Sequence, residues 1–362
     1  MNVRKEKMVM RAKRGMKAKP VFGWKKALAL FFCIIASVAG VGMVMFYNTV
    51  SSINYEYIAD DNTTASDLTA SGSMNTDLNS DELLNDPQIL NIMLFGEDNN
   101  NGDEHGRSDT MIMLSIDNRH KKLKLTSFLR DVYVNVPGYG QNKLNSAYTY
   151  GGPQLSIQTI ETNFGINIDR YAVVDFDAFE EIIDILGGVD IELTADEVAY
   201  INWQSYINNQ TEERYELDEV SGVTHLNGRQ ALWYARNRGY EEENHPEFVM
   251  PGNDFERTSR QRKLLETILN EFKSADLTQI IQIVSKIGPM ITTNLKKDEI
   301  TALVANSMTY LGYEFEEYRV PEDELFEYGW TDDGQSIVVI NDWYAQRKNL
   351  ALFIFESSVQ GS

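Results

Sequence analysis

The stretch Ile89-Leu90-Asn91-Ile92-Met93-Leu94-Phe95-Gly96-Glu97-Asp98 decides the reading of this chain. Its apolar run ends at Gly96 and is short, which predicts a buried strand whose end carries two carboxylates. Working outward, Thr110–Asp117 and Lys122–Phe128 predict two more strands joined by the polar turn Asn118-Arg119-His120-Lys121, with Leu123 and Leu125 alternating toward one buried face. Val132–Val136 alternates in the same way and stops at Pro137-Gly138. From Asn142 the pattern turns helical, with Pro153 fitting the first turn of a segment that reaches Asn163. Tyr171–Phe176 and Val189–Leu193 read as strands around a helix at Ala178–Leu186. Further helices are predicted at Gly228–Arg238, capped by Asn227, at Arg257–Lys273, and twice within 275–309, with a late strand at Ile337–Ile340. Strands interleaved with helices predict an α/β domain built on a central sheet.

Charge is divided unevenly along the 362 residues. The first 26 hold ten basic residues and one acid, Glu6, and so carry +9, leaving −30 on the rest of a chain whose net charge is −21. Between Lys26 and Glu56 there is no charged residue, and the twenty residues Ala27–Phe46 are almost wholly apolar. At about 1.5 Å per residue they span about 30 Å, the thickness of a bilayer's hydrocarbon core. Trp24 and Tyr47 flank the run where aromatic rings favour the interface. The expected layout is a basic cytoplasmic tail (1–26), a transmembrane signal-anchor (27–47), an extracellular stalk rich in Ser, Thr, Asn and Asp (48–86), and one extracytoplasmic domain (87–362). The rival for the apolar run is a cleaved signal peptide ending near Ser37-Val38-Ala39, but the run continues beyond that point. Cys33, the only cysteine, lies inside the run, which excludes disulfides, thiol nucleophiles and cysteine metal sites from the exported part. A sequence pI of 4.6 disfavours nucleic acid as a partner.

Three groups of residues could carry chemistry. Glu97 and Asp98 end the first strand, and Arg107-Ser108-Asp109-Thr110 begin the next. Two carboxylates from adjacent strand ends can hold one Mg²⁺, and a solvated acidic turn is the competing reading. Arg130 and Asp131 break off the third strand, where a local salt bridge would serve equally. Arg236, Arg238, Arg257, Arg260 and Arg262 gather five arginines between positions 236 and 262 of a strongly acidic protein, with Gln261 beside them. Planar guanidinium forks suit phosphate oxygens, although Glu241, Glu242, Glu243, Glu247, Asp254 and Glu256 could neutralise them instead. The four histidines are scattered, which disfavours a Ser-His-Asp triad or a histidine zinc site, and no phosphate-binding glycine loop or dinucleotide fingerprint occurs.

Together these segments resemble the LytR-CpsA-Psr family of bacterial cell-envelope proteins. The resemblance is carried by Met93-Leu94-Phe95-Gly96-Glu97-Asp98, Gly106-Arg107-Ser108-Asp109-Thr110-Met111, Leu129-Arg130-Asp131-Val132-Tyr133-Val134 and Lys143-Leu144-Asn145-Ser146-Ala147-Tyr148 with Gly151-Gly152-Pro153. It continues through Gly187-Gly188-Val189-Asp190, Leu226-Asn227-Gly228-Arg229-Gln230-Ala231-Leu232, Ala235-Arg236-Asn237-Arg238 and Asp254-Phe255-Glu256-Arg257 with Arg260-Gln261. It implies a three-layer α-β-α sandwich around a mainly central mixed sheet, preceded by one transmembrane helix, with an apolar pocket for a lipid tail. It also implies an extracytoplasmic phosphotransferase that moves a glycopolymer from a polyprenyl-pyrophosphate carrier to peptidoglycan. On that resemblance Asp98 and Asp109 bind Mg²⁺, or Mn²⁺ in its place, while Arg107, Arg130, Arg236, Arg238, Arg257 and Gln261 hold the pyrophosphate, with Arg260 and Lys143 as further ligands. Arg130, Asp131 and Arg107 are the expected catalytic residues, Asp131 or a metal-bound carboxylate orienting the acceptor hydroxyl. Two features depart from the family pattern: Glu97, where a small or apolar residue is expected, and the long loop between Arg238 and Asp254. A hydrolase using water as acceptor, or a non-enzymatic lipid-binding regulator, would use the same site.

Overall fold

A computed structural model describes residues 53–56, 82–98, 106–208, 215–218, 220–237, 239, 254–274 and 277–356. The apolar run 27–47, Arg238 and most of the loop that follows it lie outside the described residues, and among those described no helix is long and apolar enough to cross a membrane.

Thirteen strands occur among the described residues, and seven form the main sheet. In chain order these are β1 (Asn54–Tyr55), β2 (Ile89–Asp98), β3 (Arg107–Asp117), β4 (Lys122–Phe128), β7 (Arg170–Asp175), β10 (Ile291–Thr293) and β11 (Glu314–Val320), arranged β1-β10-β7-β2-β3-β4-β11. The sheet is mixed. β2 runs parallel to β7 and antiparallel to β3, β3 antiparallel to β4, and β4 parallel to β11. Thus β2, β4 and β7 all point the same way. Three short pairs complete the strands: β5 (Tyr133–Val136) with β6 (Gly140–Lys143), β8 (Val189–Leu193) with β9 (Gly222–Leu226), and β12 (Phe326–Trp330) with β13 (Ser336–Ile340). The helices are α1 (Leu144–Phe164), α2 (Phe176–Leu186), α3 (Ala195–Ile207), α4 (Gly228–Arg236), α5 (Asp254–Ser274), α6 (Leu277–Ile287), α7 (Lys297–Tyr310) and α8 (Trp343–Phe355).

Alternate residues of the central strands face opposite sides, and both sides are covered. Met93, Phe95, Met111 and Met113 pack with Ile160 and Phe164 of α1 and Leu350 and Ile354 of α8. Their neighbours Leu90, Ile92 and Ile116 pack on the other face with Leu303 and Tyr310 of α7. Burial on both faces explains why the decisive strand reads as a continuous apolar run. A separate cluster, with Val189, Ile191, Leu226, Trp233 and Leu264, joins the β8–β9 pair to α3, α4 and α5.

Local chemistry ends the helices where they must end. Asp175 caps α2, accepting from the Ala178 N–H at 2.7 Å, and Asn227 and Gln230 form a reciprocal capping box on α4. α1 breaks at Gly151 and Gly152, the latter at φ +61°, and Pro153 opens the second half as a first-turn proline should.

Two sequence expectations need correction. The stalk 48–86 is in part folded: Asn54–Tyr55 pairs with β10, the Glu56 N–H donates to the Thr293 carbonyl at 2.9 Å, and Leu84 bridges to Ile166. Buried Asp86 takes a two-pronged hydrogen bond from Arg119, at 2.8 and 2.9 Å. The two helices expected within 275–309 are α6 and α7, but strand β10, paired between β1 and β7, lies between them, its three residues being too few to show a pattern.

Candidate functional site

The carboxyl ends of β2, β4 and β7 open on one cavity of about 1490 Å³. Ligands of open α/β sheets bind in that position because loops leaving the strands diverge there. From β2 come Gly96 and Glu97, from the turn after β4 come Arg130 and Asp131, and from the end of β7 come Asp175 and Phe176. α4 presents Arg229, Leu232, Trp233 and Arg236, spaced so that all four share one helix face, and α5 adds Arg257 and Gln261 one turn apart. Gly228 makes this approach of α4 possible, since a Cβ there would lie 2.2 Å from the Glu180 carbonyl oxygen.

Five cations line the cavity among the described residues: Arg130, Lys143, Arg229, Arg236 and Arg257. Arg257 is buried in its wall. The Arg236 guanidinium lies 4.4 Å from the centroid of the Phe176 ring, which holds it by cation–π attraction. Arg130 Nε donates to Asp131 Oδ2 at 3.2 Å, and Lys143 Nζ lies 3.0 Å from Asp131 Oδ1. Both Asp131 oxygens are thus engaged with cations, an arrangement that positions Arg130 and Lys143. Arg229 pairs with Glu180 at 2.9 Å, and burial pushes the Glu180 carboxyl up to about 7, with Arg229 opposing the shift.

The structure brings Arg130, Asp131, Lys143, Arg236, Arg257 and Gln261 together around this cavity. Arg260 goes elsewhere: its Nε donates to Glu197 at 2.8 Å and an Nη to the Asn237 carbonyl at 3.0 Å, and it does not line the cavity. Buried Glu197 needs a cation, and Arg260 supplies it. Arg238, and the side chains of Asp98, Arg107 and Asp109, lie outside the described part. The backbone nonetheless sets their register. Asp98 pairs with Arg107 and Glu97 with Ser108, but Gly96 pairs with Thr110, so Asp109 is the extra residue of a β-bulge. Both aspartates therefore stand at adjacent ends of one strand pair. The departing Glu97 accepts a hydrogen bond from the Gly106 N–H at 3.1 Å and so joins the two ends of the intervening loop.

Sequence reasoning missed Arg229, Glu180, Asp177 and Tyr150, all of which line the cavity. Arg229 had a signal: it lies seven residues before Arg236 on a helix already identified, and therefore on the same face.

A mixed α/β sheet with arginines converging at its carboxyl edge defines an anion-binding α/β protein. The chain belongs to the LytR_cpsA_psr family, whose model matches residues 41–342. It is 29% identical over 333 residues to the polyisoprenyl-teichoic acid–peptidoglycan teichoic acid transferase TagU of Oceanobacillus iheyensis, covering 90% of this chain and 92% of the relative. It is 36% identical over 184 residues to the regulatory protein MsrR of Staphylococcus aureus, half of this chain and 49% of that one. The fold resembles that of TagT (YwtF) with bound octaprenyl pyrophosphate, at a TM-score of 0.53 and 23% identity, covering 74% of this chain and 91% of TagT.

Proposed function

We propose that this protein transfers a glycopolymer from a polyprenyl-pyrophosphate carrier to a peptidoglycan hydroxyl, forming a phosphodiester. The observation that carries this is the convergence of Arg130, Arg236, Arg257 and Gln261 on one cavity. The name of the TagU relative, matched over nine-tenths of its length, supports teichoic acid as the polymer.

The donor is already activated, so the protein's task is positioning and charge neutralisation. The acceptor oxygen attacks the phosphorus bearing the glycan, and the bond from that phosphorus to the polyprenyl phosphate breaks. The acceptor's proton passes to solvent, and polyprenyl phosphate departs with the electron pair of the broken P–O bond. Arg130, fixed by Asp131, and Arg236, fixed by Phe176, bear on the phosphate oxygens as charge builds. Lys143 and Arg229 add positive charge at the wall, and Arg107 and Arg238 are further candidates for this role.

Asp98 and Asp109 are the residues proposed to hold Mg²⁺ or Mn²⁺. Their donor set is all oxygen, which suits a hard cation, and the register of β2 and β3 sets the two residues at adjacent strand ends. When bound, the ion would supply further charge neutralisation at the pyrophosphate. The apolar run 27–47 is proposed to span the membrane once, with the N-terminus cytoplasmic and the catalytic domain outside, beside the donor's lipid tail.

The test is mass spectrometry of products made by the full chain from a polyprenyl-pyrophosphate glycan and peptidoglycan oligomers, with Mg²⁺ or chelator. A phosphodiester-linked product that disappears with chelator is expected. Phosphorylated glycan without acceptor would indicate a hydrolase, and intact donor recovered on the protein would indicate a binding or regulatory role.

A further inference from the structure

One stretch of the cavity lining differs chemically from the arginine-bearing helices. The stretch Asn142–Tyr150 supplies Asn142, Lys143, Asn145, Ser146, Thr149 and Tyr150 to the lining, and Lys143 is its only charged residue. At its end, the Tyr150 ring stacks on that of Tyr139, with centroids 4.5 Å apart and planes 14° from parallel. Both rings are wet, Tyr139 being 55% exposed and Tyr150 41%. Stacking covers one face of each ring and leaves the outer faces available. The pair is held in place: Asn142 Nδ2 donates to the Tyr150 hydroxyl at 3.0 Å, while Asn142 Oδ1 accepts from Ser146 Oγ at 3.1 Å and from the Lys143 N–H at 2.9 Å. Two large aromatic faces exposed at a cavity mouth, bordered by oriented amides, have the apolar-plus-polar character that a sugar ring matches.

The β12–β13 turn contributes Asp333 and Gln335 to the same cavity. Gln335 Nε2 donates to Asp333 Oδ2 at 2.8 Å, and the hairpin is fastened beside Arg130 by the Val338 N–H donating to the Asp131 carbonyl at 2.9 Å. Asp131 thus connects three parts: Arg130 after β4, Lys143 at the entry of α1, and the hairpin.

We propose that the Tyr139–Tyr150 stack, with Asn142, is a carbohydrate subsite that docks the acceptor glycan. This rests on the transferase reading. Peptidoglycan is a polymer far larger than a cavity of about 1490 Å³, so it must be held at the mouth with one hydroxyl reaching inward. The uncharged sugar rings of the glycan gain little from the arginines and bind instead by ring stacking and amide hydrogen bonds. In-line transfer also requires the acceptor to approach the phosphorus opposite the leaving polyprenyl phosphate, and a solvent-facing platform next to Lys143 and Asp131 provides an approach from outside.

The test uses the full chain in detergent and two measurements: calorimetric binding of an undecorated peptidoglycan oligosaccharide without donor, and KM for donor and acceptor separately. Tyr150→Ala is expected to weaken oligosaccharide binding and raise acceptor KM about tenfold, with donor KM and kcat at saturating acceptor changed less than about twofold. Tyr139→Ala follows in the same direction. Tyr150→Phe, which keeps the ring and loses only the bond to Asn142, has the smaller effect. Tyr344→Ala removes an exposed tyrosine that does not line the cavity and leaves both constants unchanged. Unaltered acceptor binding in Tyr150→Ala overturns the proposal, as does a rise confined to donor KM, which would give the stack to the donor's glycan. Should the chain transfer nothing, the binding arm still decides: oligosaccharide binding lost in Tyr150→Ala upholds the subsite while the transferase reading fails.

Discussion

Lys143 Nζ stands 3.0 Å from Asp131 Oδ1, an ion pair that ties the entry of α1 to the turn after β4. Arg130 shares the same carboxylate through its other oxygen, so one anion orients two cations that face the cavity. Asp131→Ala should therefore disperse both. A loss of about 10²-fold in kcat is expected, comparable to removing one transition-state donor, with the fold retained. Asp131→Asn, which keeps an oxygen toward one cation, should lose less. Steady-state kinetics beside a thermal melt separates the two effects.

Gly228 sets the spacing between α4 and α2. A methyl group 2.2 Å from the Glu180 carbonyl forces the helices apart and carries Arg229 and Arg236 with them. Gly228→Ala should cost about 1–3 kcal/mol of stability, read from denaturant unfolding, and lower transfer in the molecules that remain folded.

Lys124 is fully buried and bonds to Asp117 and to the Ile354 carbonyl, each at 2.8 Å, remote from the cavity lining. Lys124→Ala leaves the buried Asp117 carboxylate without its main cation. A loss of about 3–5 kcal/mol is expected, with the kinetics of the folded fraction unchanged.

Burial raises three carboxyls: Glu161 to about 7, Asp169 to about 6 and Glu180 to about 7. In the unfolded chain these groups ionise near pH 4, whereas the folded protein keeps their protons until pH 6 to 7. The unfolded state thus binds fewer protons across that window, so stability falls as pH rises through it. Melting temperature should be higher near pH 5 than near pH 8. Glu161→Gln retains an acceptor for the Ile168 N–H, now at 3.0 Å, and should flatten that slope. A slope unchanged by the substitution would count against the assignment.

The sequence revealed the parts of the fold whose burial is uniform. β2 and β3 carry apolar runs because both faces are covered, β4 shows its alternating leucines, and Asn227 announced α4 through its capping box. α3 was missed although Thr194 and Glu197 carry the same box, because Tyr, Asn, Trp and Gln within it blur the helical stripe. β12 was missed because its side chains are largely wet. At the site, residue types were legible but directions were not. Arg257 and Arg260 are three apart on α5, yet one lines the cavity and the other turns to Glu197, a partner sixty-three positions away that only the tertiary fold brings near.

The most direct measurement of the central claim, that pyrophosphate is held by the arginines of the cavity, compares Arg130→Ala, Arg236→Ala and Arg257→Ala with Arg260→Ala. Each is assayed for kcat/KM toward the polyprenyl-pyrophosphate donor and corrected for folded fraction. The three lining residues should each lose about 10²-fold or more, whereas Arg260→Ala should stay within about threefold of the parent while melting at a lower temperature. Equal losses at all four positions, or a loss confined to Arg260→Ala, would contradict this account of the site.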